Sequence, residues 1–350
     1  MEKIRLAVIF GGNSSEYPVS LHSVASVLRS LDKDKYELIL LPIDRDGVWY
    51  YYNGDIDILE HDHWKEHPST RHAVFSPSAK EGVYILDDAE VQRMEIDCVL
   101  PILHGKNGED GTLQGLLELS TIPYVGCNHV SSAISMDKDY THIICEAAGI
   151  PMAPYISLLS CEEIDYDALI DEVDEKLTLP LFVKPANAGS SFGITKVDDY
   201  KDLQDAVQFA FEYDKKVIIE TGIDGFEVGC AVLGNNELVV GEIDEIDTHN
   251  NFFDYDAKYE LENTQILCPA RVDTVISDEV KELTKKIFRI LGGSGLARVD
   301  MFVTKDSEIY FNEINTIPGF TSASRYPSMM KAVGVEFPEL LDRLIALAME

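Results

Sequence analysis

Positively charged residues are scarce in this sequence, and its cysteines are never closely paired. The 350 residues include 29 Lys and Arg against 62 Asp and Glu, a formal net charge of −33 at pH 7. A surface this acidic repels nucleic acid and anionic lipid, so we expect no nucleic-acid partner and no membrane. No apolar run approaches the roughly 20 residues of a membrane span, and no apolar signal core follows Met1. We therefore expect a cytoplasmic protein.

The six cysteines lack C-x-x-C spacing, which is typical of reduced thiols rather than of a zinc site or a disulfide framework. Hydrophobic residues make up 45% of the chain and charged residues 26%, as in ordinary globular proteins. A chain of this length corresponds to two or three domains of roughly 150 residues each. The composition therefore predicts a folded protein of several domains.

Strand and helix patterns alternate in the first part of the chain. An apolar run at 4–10 ends in Gly11-Gly12, and apolar residues then recur at helical spacing over 21–31. Two further apolar runs, at 38–43 and 98–103, read as strands, and the second leads into another glycine-rich loop and a helix. This alternation predicts an α/β fold with a Rossmann-like parallel sheet, whose ligand-binding loops follow the carboxyl ends of the strands.

The rest of the chain predicts smaller α+β units. A single helix is predicted over 131–148, and a long polar loop over 244–263. Loops of that length are usually functional or disordered. Strands are predicted near 181–183, 217–220, 227–232, 237–243, 297–303 and 308–314, and helices near 277–291 and 338–349. The predicted domains are 1–127, 128–225 and 226–350.

Acidic residues on two neighbouring predicted strands form the strongest candidate site. Asp300 lies on one strand, Glu313 and Asn315 lie on the next, and a short turn separates the strands. In a hairpin these side chains face each other, because Asn315 is two residues beyond Glu313 and shares its face. Few carboxylates with open positions suit magnesium bound jointly with substrate phosphates. The alternative is a solvated hairpin edge with routine charges.

Glycine-rich segments provide further candidates. Lys184 precedes the small-residue loop 185–193, whose amides could wrap a phosphate, although the P-loop motif is absent and an ordinary turn is the alternative. His104 begins a second loop at a strand-to-helix junction, where it could donate to a developing anion. Glu16 follows the first glycine turn and either binds a cationic group or is simply a first-turn helix acid.

The segment His63-Trp64-Lys65-Glu66-His67 matches the H-x-x-E-H pattern of inverted zinc proteases. Pro68 follows at once, the flanks are polar rather than amphipathic, and no distant third ligand is evident. We therefore interpret this match as coincidental.

Six motifs in one order resemble those of the D-alanine:D-alanine ligase family of ATP-grasp enzymes. They are Gly11-Gly12-x-Ser14-x-Glu16, His104-Gly-x-x-Gly-Glu-Asp-Gly, Lys184-Pro with Gly189-Ser190-Ser191, Phe253-Asp-Tyr-Asp-Ala-Lys258-Tyr259, Arg298-x-Asp300 and Asn312-Glu313-x-Asn315-Thr-x-Pro-Gly319. The match is collinear from residue 4 to the C-terminal helix. The resemblance implies an N-terminal substrate-binding domain followed by a two-part ATP-grasp unit.

Such enzymes join two D-amino acids with ATP in the cytoplasm, through an acyl phosphate, and the dipeptide enters peptidoglycan precursors. The resemblance implies D-alanine as first substrate, two Mg²⁺ ions with Mn²⁺ as a substitute, and a homodimer. It implies catalytic roles for Glu16, His104, Ser190, Tyr259, Arg298 and Gly319, ATP contacts from Lys138, Lys184, Glu220 and Glu227, metal ligation by Asp300, Glu313 and Asn315, and second-substrate binding by Lys258, Ser324 and Arg325.

The resemblance implies that Arg325 lines the pocket for the second substrate and distinguishes between second substrates. Typical D-alanine:D-alanine ligases have an apolar residue here, whereas Arg325 resembles the D-alanine:D-serine ligases of vancomycin resistance. A guanidinium can recognise a hydroxyl, directly or through water, and a polar site can discriminate more strongly than a methyl pocket. Tyr259 argues against the D-lactate branch. Thr221 and Gly222 depart from the lysine and large apolar residue of many relatives, which leaves the adenine contacts open.

The resemblance thus favours a D-alanine:D-serine ligase, with a D-alanine:D-alanine ligase as the alternative. A biotin-carboxylase-like enzyme would lack the Lys258-Tyr259 pair. A non-catalytic nucleotide sensor is a remote alternative, and it would be expected to lose Asp300, Glu313 or Arg298.

Overall fold

The computed structural model of this chain describes residues 3–87, 90–189, 192–247 and 265–350. Its N-terminal part contains β1 Ile4–Gly11, α1 Tyr17–Ser30, β2 Tyr36–Ile43, β3 Tyr50–Tyr51, α2 Ile56–Glu60, β4 Arg71–Phe75, β5 Val83–Leu86, β6 Val91–Met94, β7 Cys98–Ile102 and α3 Thr112–Ser120. The fold is the mixed α/β architecture that the sequence predicts, with one parallel sheet and several antiparallel ones.

The parallel sheet has the order β2-β1-β7, with β1 in the middle. Because all three strands run the same way, the turn after β1 and the loop after β7 leave the sheet at one edge. Gly11 has φ +86°, and a side chain here would collide with the carbonyl oxygen of Ile43. Glycine is therefore required where the chain turns from β1 towards Glu16.

A second sheet in this region, β3-β4-β5-β6, is antiparallel and was not predicted from the sequence. Its strands are two to five residues long and partly exposed, so they carry little apolar periodicity. The H-x-x-E-H segment lies in turns beside this sheet rather than on a helix, and Trp64 is only 1% exposed.

The central part contains α4 His129–Met136, α5 Lys138–Ala147, β8 Tyr155–Leu159, α6 Tyr166–Lys176, β9 Leu181–Pro185, β10 Thr195–Val197, α7 Leu203–Phe211 and β11 Lys216–Thr221. Its antiparallel sheet has the order β10-β9-β11-β8.

The helix predicted over 131–148 is in fact two helices, which meet at Asp137. Asp137 has an extended backbone, and its carboxylate accepts from the amides of Asp139 (3.1 Å) and Tyr140 (3.2 Å), which caps α5. The single-helix prediction was wrong because an N-cap inside an apolar periodic stretch does not disturb the period. The break makes Lys138 the first residue of α5.

The C-terminal part contains β12 Gly225–Leu233, β13 Val239–Val240, β14 Asp244–Asp247, β15 Gln265–Leu267, α8 Thr274–Ile290, β16 Leu296–Thr304, β17 Ile309–Asn315, α9 Arg325–Ala332 and α10 Phe337–Ala348. Five strands have the order β15-β14-β12-β16-β17, and β13 pairs with β12. The sequence predicted a polar loop from Asp244, but residues 244–247 form β14, paired with the buried strand β12. The predicted strand at 237–243 is reduced to β13.

The apolar cores connect the ends of the chain. One cluster joins β1 and α1 to Tyr326 and Met329 of α9 and to Leu340 of α10, so the C-terminal helices pack against the N-terminal domain. This packing holds the loop between β17 and α9 beside the N-terminal domain. No helix within the described ranges is both long and apolar enough to cross a bilayer.

Candidate active site

Antiparallel pairing of β16 with β17 brings the predicted acidic cluster together. In the strand register Asp300 is opposite Glu313, and Arg298 is opposite Asn315. Arg298 donates to both oxygens of Asp300 through Nε (2.8 and 3.1 Å) and to one of them through Nη2 (2.7 Å). Asn315 Nδ2 donates to Asp300 Oδ2 at 2.9 Å. The four predicted residues therefore form one cluster on two paired strands, from the start to the middle of β16 and at the end of β17.

Arg325 lies beside this cluster and holds a carboxylate that the sequence analysis missed. Its Nε and Nη2 donate to the two oxygens of Asp244, each at 2.8 Å, and Asp244 is only 1% exposed. Arg325 Nη1 lies 3.2 Å from Glu227 Oε1, and Nη2 lies 3.4 Å from Asp300 Oδ1. Burial disfavours the charged guanidinium, but Asp244 and Asp300 raise the pKa of Arg325 well above its usual value. Arg325 is therefore a fixed cation.

A glycine makes room for this ion pair. Gly229 of β12 is opposite both Asp244 and Asp300 in the strand register, and its amide donates to Asp244 Oδ1 at 3.0 Å. A Cβ at Gly229 would collide with Arg325 Nη2 and Asp244 Oδ1. The bidentate pair therefore depends on the absence of a side chain at this position.

Two lysines approach from the central part. Lys138 Nζ donates to the carbonyl of Ala188 at 2.9 Å and lies 3.7 Å from Glu313 Oε2. Lys184 is buried and donates to Glu220 Oε1. The Lys138 amide also donates to Ala186, so α5 is bonded to the glycine-rich loop. The two predicted phosphate-binding lysines thus flank one loop, and one of them also faces the acidic cluster.

Glu16 lies where the N-terminal domain meets this glycine-rich loop. A Cβ placed on Gly189 would be 2.9 Å from Glu16 Oε2, and one placed on Gly105 would collide with the same oxygen. Both Glu16 and Arg298 are near enough to His104 to influence its pKa. The glutamate of the first glycine turn and the arginine of β16 therefore border the same region.

His104 is buried, and both of its ring nitrogens have partners. Nδ1 lies 2.9 Å from the carbonyl oxygen of Ile317, and Nε2 lies 3.2 Å from Ser23 Oγ. Since a carbonyl oxygen only accepts, Nδ1 carries the hydrogen, and neutral Nε2 accepts from the serine hydroxyl. Burial lowers the pKa of His104, so the ring is neutral near pH 7. In this arrangement His104 connects the N-terminal domain to the loop after β17.

Gly319 and Ser324 lie together on that loop. Ser324 Oγ is 2.8 Å from Thr321 Oγ1 and accepts from the Thr321 amide at 3.0 Å. A Cβ on Gly319 would be 3.4 Å from Ser324 Oγ. Ser324 immediately precedes α9, so the amide groups of the first turn, which have no partner within the helix, lie next to it. This end of the site has the donors that a carboxylate or an oxyanion requires.

Glu109 also belongs to the site, although the sequence analysis gave it no role. Its carboxylate accepts from the Gly105 amide at 2.8 Å and from the Ile317 amide at 2.9 Å. Burial, and then the charge of Glu16, raises the pKa of Glu109 to about 8. The residue stands in the His104 motif, which was the only signal for it. Ser190, Lys258 and Tyr259 lie outside the described residues.

The chemistry of the acidic cluster fits a hard divalent cation. Asp300, Glu313 and Asn315 offer carboxylate and amide oxygens, which Mg²⁺ prefers over nitrogen and sulfur. In the described part of the chain, no group of three His, Cys, Asp or Glu side chains forms a metal centre by itself. Phosphate oxygens and water would have to complete the coordination, which is the usual situation for Mg²⁺ bound with a nucleotide.

Comparisons with known proteins agree with this geometry. Residues 5–127 match the model of the D-ala D-ala ligase N-terminus, and residues 144–346 match that of its C-terminus. A D-alanine–D-alanine ligase from Caldicellulosiruptor bescii is 44% identical over 100% of this chain and 96% of its own length. The vancomycin C-type resistance protein VanC1 of Enterococcus gallinarum is 44% identical over 99% and 98%.

A solved structure extends the likeness to three dimensions. The VanG D-Ala:D-Ser ligase from Enterococcus faecalis superimposes with a TM-score of 0.91 at 46% identity, over 99% of this chain and 100% of that one. The fold is thus an ATP-grasp fold preceded by a Rossmann-like domain. The chain belongs to the D-alanine–D-alanine ligase family, whose members are ATP-dependent ligases of peptidoglycan precursor synthesis. The relatives act on different second substrates, so the family alone does not select one.

Proposed function

We propose that this ligase joins D-alanine to D-serine, using ATP and Mg²⁺. The observation that carries the choice of D-serine is the buried pair of Arg325 with Asp244 beside Ser324. D-alanine as the second substrate is the competing proposal, and it is favoured by the relative from Caldicellulosiruptor bescii.

A hydroxyl group both donates and accepts a hydrogen bond, and the Arg325–Asp244 pair offers a donor and an acceptor together. A methyl group would displace water from these polar atoms and would offer them no hydrogen bond in return. Discrimination by a polar site that hydrogen-bonds the substrate hydroxyl can exceed the ~1–3 kcal/mol available from one methylene in an apolar pocket. The pair therefore suits a hydroxymethyl side chain better than a methyl.

The other groups of the second subsite suit a carboxylate. Ser324 and the amide that follows it stand at the N-terminus of α9, where backbone donors and the helix dipole attract an anion. We assign Lys258 to the same carboxylate. With the carboxylate held there, the side chain of the substrate would face Arg325.

The first substrate is assigned to Glu16, whose carboxylate would hold its ammonium group. The D-alanine carboxylate attacks the γ-phosphorus of ATP, the bond to ADP breaks, and an acyl phosphate forms. The amine of the second substrate then attacks the acyl carbon, and inorganic phosphate leaves as the peptide bond forms. We assign the oxyanion of this step to Arg298 and the Gly319 amide.

The remaining predicted residues serve the nucleotide and the closed site. Lys138 and Lys184 would bind phosphate oxygens, and Glu220 and Glu227 the nucleoside. Divalent cations held by Asp300, Glu313 and Asn315, two Mg²⁺ or their Mn²⁺ equivalents, would neutralise charge on the phosphates. We assign Ser190 and Tyr259 to hydrogen bonds with Glu16 that exclude water from the acyl phosphate.

Three broader properties are proposed from the resemblance. We expect three domains at 1–127, 128–225 and 226–350, a cytoplasmic location, and a homodimer. Sedimentation of the purified protein would test the last of these, because a monomer at micromolar concentration would contradict it.

A product competition tests the proposed substrate. The purified protein is incubated with ATP, Mg²⁺ and equimolar D-alanine and D-serine, and the dipeptides are identified by mass. We expect alanyl-serine to predominate and Arg325→Leu to shift the products towards alanyl-alanine. The matched control is Arg343→Leu, which removes an exposed arginine paired with Glu339 on α10. Alanyl-alanine as the only product of the unmodified protein would contradict the choice of D-serine.

A further inference from the structure

Ile317 is held on both sides by the loop that follows β7. Its amide donates to Glu109 Oε1 at 2.9 Å, and its carbonyl accepts from His104 Nδ1 at 2.9 Å. These two groups belong to successive peptide units, so the orientations of both units are fixed. A residue of the C-terminal part is thereby fastened to the N-terminal domain at two points, two residues before Gly319.

Glu109 makes this connection with both of its oxygens. While Oε1 accepts from Ile317, Oε2 accepts from the Gly105 amide at 2.8 Å. Its neighbour Asp110 shows the ordinary behaviour of a loop carboxylate, since its partners among the described residues, the amides of Asn107 (2.8 Å) and Thr112 (3.0 Å), are close to it in sequence. The bond from Glu109 to Ile317 instead crosses 208 residues of sequence. Glu109 thus joins two parts of the protein, whereas Asp110 shapes one loop.

The two parts joined by Glu109 carry the groups assigned to the reaction. Gly105 lies directly against the carboxylate of Glu16, which is assigned to the first substrate. Ile317 is two residues before Gly319, whose amide is assigned to the oxyanion. The position of Gly319 relative to Glu16 therefore depends on Glu109, which bridges Gly105 and Ile317.

A buried carboxylate that bridges Gly105 and Ile317 carries an energetic cost. Glu109 is near the like charge of Glu16 and the cation of Arg298, His104 bonds the same residue Ile317, and burial together with Glu16 raises the pKa of Glu109 to about 8. Glutamine would avoid that cost, but it has only one acceptor oxygen, and its amide nitrogen would face an amide donor. Above that pKa, ionised glutamate supplies what glutamine cannot supply at this length, which is a pair of acceptors for two backbone donors.

We propose that Glu109 is a positioning residue that sets the Gly319 amide at its working distance from the substrate held by Glu16. This proposal rests on the proposed function, because it assumes that the first substrate and the oxyanion are bound by those groups. Glu109 does not touch substrate in this assignment. It acts through Gly105 and Ile317.

Glu109→Gln tests this role, with Asp110→Asn as the matched control in the same loop. Two measurements are made on the full-length protein at a pH above the pKa of Glu109, where its carboxylate is ionised: steady-state kinetics of dipeptide formation, and amide hydrogen exchange of the segment around Ile317. We expect Glu109→Gln to lower kcat by about 100-fold, the scale of a misplaced reacting group. The apparent KM for ATP should stay within about 2-fold, because the nucleotide is assigned to other residues. Exchange around Ile317 should accelerate.

Asp110→Asn should keep kcat within about 3-fold and leave the exchange around Ile317 unchanged, even where it lowers the melting temperature. Equal losses of kcat in both variants would overturn the proposal, as would faster exchange with unchanged kcat. Hydrogen exchange separates this proposal from the function itself. If the unmodified protein forms no dipeptide, the function is wrong, and unchanged exchange in Glu109→Gln would then reject the bridge independently.

Discussion

Removing the guanidinium of Arg325 should destabilise the protein mainly by leaving Asp244 as an unpaired buried charge. Asp244 is 1% exposed, and both of its oxygens accept from Arg325 at 2.8 Å. Breaking a buried ion pair by truncating one partner costs about 3–5 kcal/mol. Arg325→Leu should therefore lower the free energy of unfolding by about that amount. Asp244 keeps its bond from the Gly229 amide, which places the expected cost near the lower limit.

A double-mutant cycle isolates the charge effect. Asp244→Asn removes the charge but not the shape, so Arg325→Leu should cost less in that background than in the unmodified protein. We expect a coupling free energy of about 1–3 kcal/mol, measured by urea unfolding with m-values compared among the four proteins. The surface pair Arg343 and Glu339, in the same cycle, should couple by less than about 1 kcal/mol. If the two changes at the buried pair add within about 0.5 kcal/mol, the reasoning fails.

Two further predictions concern residues that the sequence analysis did not single out. The pKa of Glu109 rises from 4.5 to about 8 on folding, so the folded state holds a proton that the unfolded state releases between those values. Stability should therefore fall as pH rises across that range, and Glu109→Gln should flatten the fall when urea midpoints at about pH 5 and about pH 8 are compared; an unaltered pH dependence would contradict this. Asp137→Ala should cost at least the about 0.5–2 kcal/mol of a lost cap, because Asp137 also pairs with Lys216 at 3.0 Å, and it should raise the KM for ATP, since Lys138 begins the capped helix. An unchanged KM for ATP in a destabilised variant would contradict the link between this cap and nucleotide binding.

Local patterns in the sequence were enough to predict the parallel sheet and the pairing of β16 with β17. The parallel strands are largely apolar runs, and the turn between β16 and β17 is short, so the pairing of these two strands follows from chain order. The placement of Asp300 opposite Glu313 depends on that register alone. Contacts of this kind are encoded within about 20 residues, where periodicity and turn chemistry are informative.

The rest of the site depends on contacts between distant parts of the chain. Arg325 and Asp244 are 81 residues apart, and Asp244 was assigned to a loop because its polar neighbours conceal a four-residue strand. Glu109 meets Ile317 across 208 residues. The spacing of apolar residues along the chain carries no information about such a contact. For Glu109 the only indication was its place in a recognised motif, and for Asp244 the sequence offered none.

The charges of the site explain how an acidic protein can be built for an anionic nucleotide. Within the part of the chain that the structure describes, every cation assigned to the reaction already faces a carboxylate. The pairs are Lys138–Glu313, Lys184–Glu220, Arg298–Asp300 and Arg325–Asp244. These pairs fix the positions of the cations but cancel most of their charge, so little net attraction remains for a triphosphate. Additional positive charge must then arrive with the nucleotide, and oxygen ligands on β16 and β17 are suited to divalent ions. The residues of this chain therefore position the cations of the site, and the proposed metal ions provide the net attraction for the triphosphate.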